Sequence, residues 1–282
     1  MTDVKFEPIT PRIGVRALIS ADHLLDEGVA EQCKDALEKH LVIVFPQVCA
    51  SDELQVAFSN TLGEMRPSSL PSKSNSAADK LGILPITLDP EKAKFTDYIV
   101  SNENWHIDGT TFRTPPKATN LKCENPPSSG GDTGFANLYA AYDELPEMKK
   151  AQLEGLRVVH SASAATRRMF KNPSQEDIDR WNTNGPPTEQ PLVWRQENGR
   201  TSLVIGSSAD HIVGMPAEEG EALLQELLAW SSQDKFVYRH QWQLGDMVIW
   251  NNCGLLHKSY HYTQESGRLM HRTVIMGTEA FA

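Results

Sequence analysis

From residue 191 onward the chain is written as short β-runs cut by turn residues, and that pattern narrows its folds more than any other feature. Pro191 to Arg195 and Thr201 to Ile205 flank the turn Glu197-Asn198-Gly199. Phe236 to Trp242, Met247 to Trp250, Leu255 to Tyr260 and Leu269 to Met276 follow, with a turn at Gly245-Asp246. A single amphipathic helix, Ala217 to Trp230, interrupts them. Short strands joined by Gly and Asn turns suit a sandwich or jelly roll, not a doubly wound parallel sheet. The N-terminal third adds a β-like run at Gly14 to Ile19 and a helix over Asp26 to His40, with Val29, Cys33, Ala36 and Leu37 at helical spacing. An apolar strand, Leu41 to Phe45, comes next, and Ser51 is placed to cap a second helix opening on Asp52 and Glu53. The expected class is mainly β with flanking helices.

No internal repeat or linker divides the 282 residues, so a single domain over 1–282 is expected. Two stretches lose periodicity. One, near 68–96, opens with Ser68-Ser69-Leu70-Pro71-Ser72-Lys73-Ser74-Asn75-Ser76; the other, near 161–190, carries one short helix at Gln175 to Trp181. Long connections of this kind are expected as lid or binding loops.

Acidic residues outnumber Lys and Arg by 37 to 27, which argues against a nucleic-acid surface. No apolar run approaches the roughly 20 residues of a membrane span, and the first residues, Met1-Thr2-Asp3-Val4, lack the pattern of a signal peptide. Cys33, Cys49, Cys123 and Cys253 form no CxxC pair. They read as buried thiols in a reducing compartment, and a cytoplasmic location is expected.

The strongest chemical signal is Trp105-His106-Ile107-Asp108. On a strand, residues two apart project to one face, so His106 and Asp108 can aim at a single ion. His257, in the late segment Trp250 to His257, offers a third ligand. Two imidazoles and one carboxylate leave three positions open on an octahedral ion, as Fe(II) oxygenases require. Downstream, Arg268-Leu269-Met270-His271-Arg272 puts two guanidinium groups on one strand face, roughly 13 Å apart at about 3.3 Å per residue. A buried guanidinium needs an anion, and its fork matches a carboxylate. The turn Ser129-Gly130-Gly131-Asp132-Thr133-Gly134 presents a hydroxyl at Thr133 that can donate to one.

Together these elements resemble the taurine / 2,4-dichlorophenoxyacetate dioxygenase family of 2-oxoglutarate-dependent oxygenases. The resemblance runs from about Gly14 to Gly277, through Asn104 to Phe112, Gly130 to Thr133, Ala140 to Tyr142, Gly155 to His160, Gly245 to Trp250, His257 and Arg268 to Arg272. It implies a double-stranded β-helix, a jelly roll closed by helices. It also implies Fe(II) on His106, Asp108 and His257, with O2 and 2-oxoglutarate as cosubstrates. By the same resemblance Arg268 and Thr133 hold the far carboxylate of 2-oxoglutarate. Arg272 then faces an acidic group on the substrate, and Asn102 and Gly109 line the substrate pocket. The implied reaction is hydroxylation of a small organic acid, aryloxyalkanoate-like or a carboxylated secondary metabolite, with release of succinate and CO2. A carboxylate at Asp108 disfavours halogenation.

Some segments depart from the family pattern. Asn251-Asn252-Cys253 stands where Asp-Asn-Arg is frequent, removing a charge pair expected to brace the strand. The loop after Gly63 carries Arg66, Lys73 and serines in place of histidines, and Ser207-Ser208 lacks an aromatic expected of taurine enzymes. A sulfonate dioxygenase is therefore the alternative reading, alongside a catalytically silent small-acid binder. A zinc hydrolase would also use two His and one Asp, but it leaves Arg268 and Thr133 without a role. Homo-oligomers are compatible with all of these.

Overall fold

The computed structural model describes residues 2–49, 51–66, 77–93, 96–170, 172–183 and 185–282. Among the described residues eight strands form the major sheet. Its order runs Lys5–Pro8, Val15–Leu18, Val42–Phe45, Met247–Asn251, Ala118–Asn125, Leu269–Ile275 and Met65–Arg66, with Leu84–Ile86 also paired to Leu269–Ile275. All pairings in it are antiparallel except that of Val15–Leu18 with Val42–Phe45. A three-stranded antiparallel sheet, with Thr133–Asn137 between Val237–His240 and Leu255–Ser259, lies against one face.

Strand alternation explains why the central strands are apolar throughout. Ile43, Phe45, Met247 and Ile249 point to one face and pack with Val29, Cys33, Leu37 and Phe58 from the helices Val29–His40 and Asp52–Leu62. Val42, Val44, Val248 and Trp250 point the other way and meet Phe135 and Leu255 of the smaller sheet. Each strand is thus buried on both faces, which removes the polar positions of a half-exposed strand. The helix Ala217–Ser231 closes the smaller sheet from outside, packing Leu223, Leu224 and Leu227 near Ala136 and Leu256.

Local chemistry sets several boundaries. The Ser51 hydroxyl accepts the N–H of Leu54 and caps its helix as the sequence suggests. All four cysteines are buried and free.

The two aperiodic stretches hold more order than expected. Residues 67–76 lie outside the described residues. Beyond them come helices at Ala77–Lys80 and Thr96–Ser101, and the strand Leu84–Ile86. The region 161–190 contains helices at Ala162–Arg167 and Gln175–Asn182 and the strand Thr188–Pro191. Capping starts both helices of this region: Ser161 accepts from the N–H of Ala164, and Ser174 forms a reciprocal capping box with Asp177. Elements of six to eight residues span only about two turns, too few to show a period.

Candidate metal centre

His106 and His257, far apart in sequence, meet through their backbones. The N–H of His106 donates to the carbonyl of His257 at 3.0 Å, and the return bond is 2.9 Å. This isolated antiparallel bridge sets the two imidazoles side by side, ring centroids 4.1 Å apart. His106 is therefore not in a continuous strand, and Asp108 sits in the turn that follows it. The expected strand is absent because Gly109, at φ +76°, redirects the chain; a Cβ there would stand 2.3 Å from Pro116. Even so, ligand atoms of His106, Asp108 and His257 lie within 4.8 Å of one another.

The donor set fits a divalent ion. Nδ1 of His106 donates to the carbonyl of Asn104 at 2.8 Å, leaving the Nε2 lone pair for a metal. Burial lowers the pKa of both imidazoles, that of His257 strongly, so both present neutral nitrogens. Burial alone would raise the Asp108 carboxyl, but Arg272 foremost, then His257, His106 and the Thr119 hydroxyl, hold it well below the usual range. Two neutral imidazoles and a carboxylate form the set expected of a non-haem Fe(II) site with open positions.

Asp108 is held through one oxygen. Its Oδ2 accepts the Thr119 hydroxyl at 2.7 Å and lies 2.6 Å from Nη2 of Arg272. Donor logic fixes the chain behind Thr119. The Trp250 indole, which can only donate, gives its N–H to Oδ1 of Asn252 at 2.9 Å. Nδ2 of Asn252 then donates to Thr119 Oγ1 at 3.0 Å, so the Thr119 proton points at Asp108. Asn252 thus serves the centre directly, and Asn251 accepts the N–H of Cys253 at 2.8 Å to shape the turn. The charge pair expected at this strand is replaced by neutral hydrogen bonds.

Two cavities share the wall built by Asn102, His106, Asp108 and Arg272. The smaller, about 40 Å³, reaches Thr133 and Arg268. Arg268 is buried; its Nε donates to the Gly131 carbonyl at 3.0 Å and its Nη1 has no partner among the described residues. Gly131, at φ +70°, must lack a side chain, since a Cβ would sit 2.8 Å from Cδ of Arg268. The Trp242 indole donates to Thr133 Oγ1 at 3.0 Å, leaving the Thr133 proton free to donate elsewhere. The larger cavity, about 560 Å³, carries Gly109, Tyr98, Phe112, Arg66 and Ser208 in its lining. Arg272 faces both cavities, with Nη1 donating to the Tyr98 hydroxyl at 2.8 Å and Nε unpartnered among the described residues.

All eight residues singled out in the sequence therefore meet around these two cavities. Thr119, Asn252, Trp242 and Tyr98 escape sequence reasoning. A lone Thr in a β-run or Asn in a turn carries no motif, and for Thr119 only strand register, which sets Val274 opposite it and Arg272 opposite Leu121, shows its nearness to the centre. A second acidic group, Asp52, Glu124 and His271, is no comparable site: the Lys122 ammonium contacts both carboxylates, Asp52 at 2.7 Å, and supplies the cation itself.

The chain is similar to known proteins over most of its length. The family described as taurine catabolism dioxygenase TauD, TfdA family matches residues 5–274. An alpha-ketoglutarate-dependent 2,4-dichlorophenoxyacetate dioxygenase of Burkholderia sp. (strain RASC) is 32% identical over 263 residues, 90% of this chain and 87% of that enzyme. An (S)-phenoxypropionate/alpha-ketoglutarate-dioxygenase of Sphingobium herbicidovorans is 32% identical over 260 residues, covering 91% and 89%. Among solved structures, that of AAD-2 in complex with Mn(II) and N-oxalylglycine aligns with a TM-score of 0.82 at 26% identity, over 99% of this chain and 100% of that one.

Proposed function

The chain belongs to the taurine catabolism dioxygenase TauD, TfdA family, and on that footing we propose that it hydroxylates an aryloxyalkanoate-like organic acid. Its class is that of the 2-oxoglutarate-dependent non-haem iron dioxygenases, using Fe(II), 2-oxoglutarate and O2. The observation that carries the reading is the shared wall: His106 and Asp108 separate a small chamber ending in a buried Arg268 from a 560 Å³ chamber with a largely apolar lining.

In this assignment His106, Asp108 and His257 hold the iron. Bound Fe(II) with its cosubstrates supplies the oxidising power to insert one oxygen atom into a C–H bond, while 2-oxoglutarate leaves as succinate and CO2. The protein's part is placement. Arg268 and Thr133 receive the far carboxylate of 2-oxoglutarate, the fork of the one and the free proton of the other pointing into the same chamber. Thr119 and Arg272 both contact Oδ2 of Asp108 and so fix the orientation in which its carboxylate would meet the iron. Asn102, Gly109 and Arg272 line the substrate chamber.

The major sheet facing the smaller one across a shared core supports assignment to the double-stranded β-helix, in one domain spanning the chain. The helices at 162–167 and 175–182, which contribute Ala165 and Trp181 to the larger cavity, are assigned as its cover. No helix among the described residues is long and apolar enough to cross a membrane. A cytoplasmic location is part of the same proposal.

Succinate formation across a panel of aryloxyalkanoates, alkyl sulfonates and terpenoid acids tests the reading. Turnover of the aryloxy acids supports it. Preferential turnover of alkyl sulfonates would replace it with the taurine-like alternative.

A further inference from the structure

The larger cavity is lined by three guanidinium groups, those of Arg66, Arg180 and Arg272, and by two carboxylates, Asp97 and Asp108. Two of the three cations are engaged. Arg272 lies 2.6 Å from Asp108, and Arg180 lies 3.2 Å from Asp97 and 2.9 Å from Asp177. Arg66 differs from both. Among the described residues no carboxylate pairs with it; residues 67–76, which follow it directly, include no Asp or Glu, and Asp79 is the one acidic residue whose side chain lies outside those described. Its guanidinium instead lies over the Phe112 ring, 4.1 Å from the centroid.

Strand register fixes where that free charge sits. Arg66 pairs with Val274 across the edge of the major sheet, and Val274 is two residues from Arg272 on the same face. Arg66 and Arg272 are therefore diagonal neighbours, about 7–8 Å apart at the backbone. Contact with the Phe112 face through Cζ leaves the edge nitrogens of the Arg66 fork available for hydrogen bonds. Leu84, Val274 and Trp181 supply apolar surface around it.

We infer that Arg66, resting on Phe112, is the specificity-determining anchor for the substrate's acidic group, selecting monoanionic acids with an apolar or aromatic body over neutral analogues. Arg272 by contrast spends its charge on Asp108. Among the described side chains Arg66 is the one guanidinium of this wall without a carboxylate, and it matches one carboxylate on the ligand. The inference rests on reading the larger cavity as the substrate site.

The test is calorimetric binding of phenoxyacetate and its neutral amide, phenoxyacetamide, to protein loaded with Mn(II) and 2-oxoglutarate. Wild-type protein is expected to bind the acid at least about tenfold more tightly than the amide, as a charge-assisted pair implies. Arg66→Met removes that preference while leaving amide affinity and 2-oxoglutarate binding unchanged; Arg66→Lys keeps the charge, loses the planar fork and retains part of it. Four results overturn the inference. They are an undiminished acid preference in Arg66→Met, equal loss of acid and amide, no acid preference in the wild type, or no binding of either probe. Succinate assays separate this from the reaction itself. Arg66-dependent acid binding without succinate leaves the anchor standing and removes the hydroxylation. Succinate formation with an acid preference indifferent to Arg66→Met removes the anchor alone.

Discussion

Arg272 places Nη2 2.6 Å from Oδ2 of Asp108, so a guanidinium and a candidate metal ligand form a buried ion pair inside the centre. Removing one partner of such a pair strands the other in a low dielectric, at a cost of about 3–5 kcal/mol. Arg272→Gln is therefore expected to destabilise the metal-free protein by that order. A bound cation would neutralise the stranded Asp108, so Mn(II) should raise the melting temperature of the variant more than that of the wild type. Equal increments would show that Asp108 does not face the ion.

Thr119 sits between Asn252 and Asp108 and makes a hydrogen bond to each. Thr119→Val keeps the shape and loses both bonds. Partners of this kind orient a metal ligand, and losing one typically weakens metal affinity by about 10–100-fold. Titration with Co(II) should show that loss in Thr119→Val and near wild-type affinity in Thr119→Ser. A Ser variant as weak as Val would mean that packing by the Thr methyl, not its hydroxyl, matters.

Arg268 and Thr133 are expected to govern 2-oxoglutarate and not the substrate. Arg268→Ala should raise the 2-oxoglutarate requirement by about ten- to hundredfold, the range for a charge-assisted hydrogen bond. Thr133→Val should raise it less. Arg272→Ala should instead leave that requirement within a few-fold of the wild type and lower kcat, because Arg272 holds Asp108. Measured KM values for both substrates decide the matter, and the reverse pattern would exchange the two arginines' roles.

Much of this was legible beforehand because it is local. The Ser51 cap, the spacing of Val29, Cys33, Ala36 and Leu37, and the doubly buried Val42–Phe45 strand follow from short-range chemistry. His106 and Asp108 stand out by their spacing alone. What joins them to His257 is one backbone bridge between distant segments, and no local pattern encodes that register. The turn at Asp108 was misread as strand because period two and a tight turn can both aim residues i and i+2 the same way. Thr119, Asn252 and Arg66 acquire meaning only from the side chains that long-range pairing brings beside them.

His160 is fully buried, and burial pushes its pKa down to about 4. The unfolded imidazole titrates near 6.5, so between these values the unfolded chain binds the extra proton and stability falls as pH falls. The stabilisation is complete above about pH 6.5, and the shift corresponds to about 3 kcal/mol lost on approaching pH 4. Urea unfolding at pH 7 and pH 4.5 should show a steeper loss for the wild type than for His160→Gln. Parallel losses would place the proton uptake elsewhere.

The most direct test of the centre is an anaerobic titration of the Fe(II)-loaded protein with 2-oxoglutarate, followed by its visible charge-transfer absorption. The geometry predicts saturation at one 2-oxoglutarate per chain, loss of the signal in His257→Ala, a weaker midpoint in Arg268→Ala and no change in Arg66→Met. Absence of the band in the wild type, with tight zinc binding indifferent to 2-oxoglutarate, would contradict the assignment of His106, Asp108 and His257 as an oxygenase iron site.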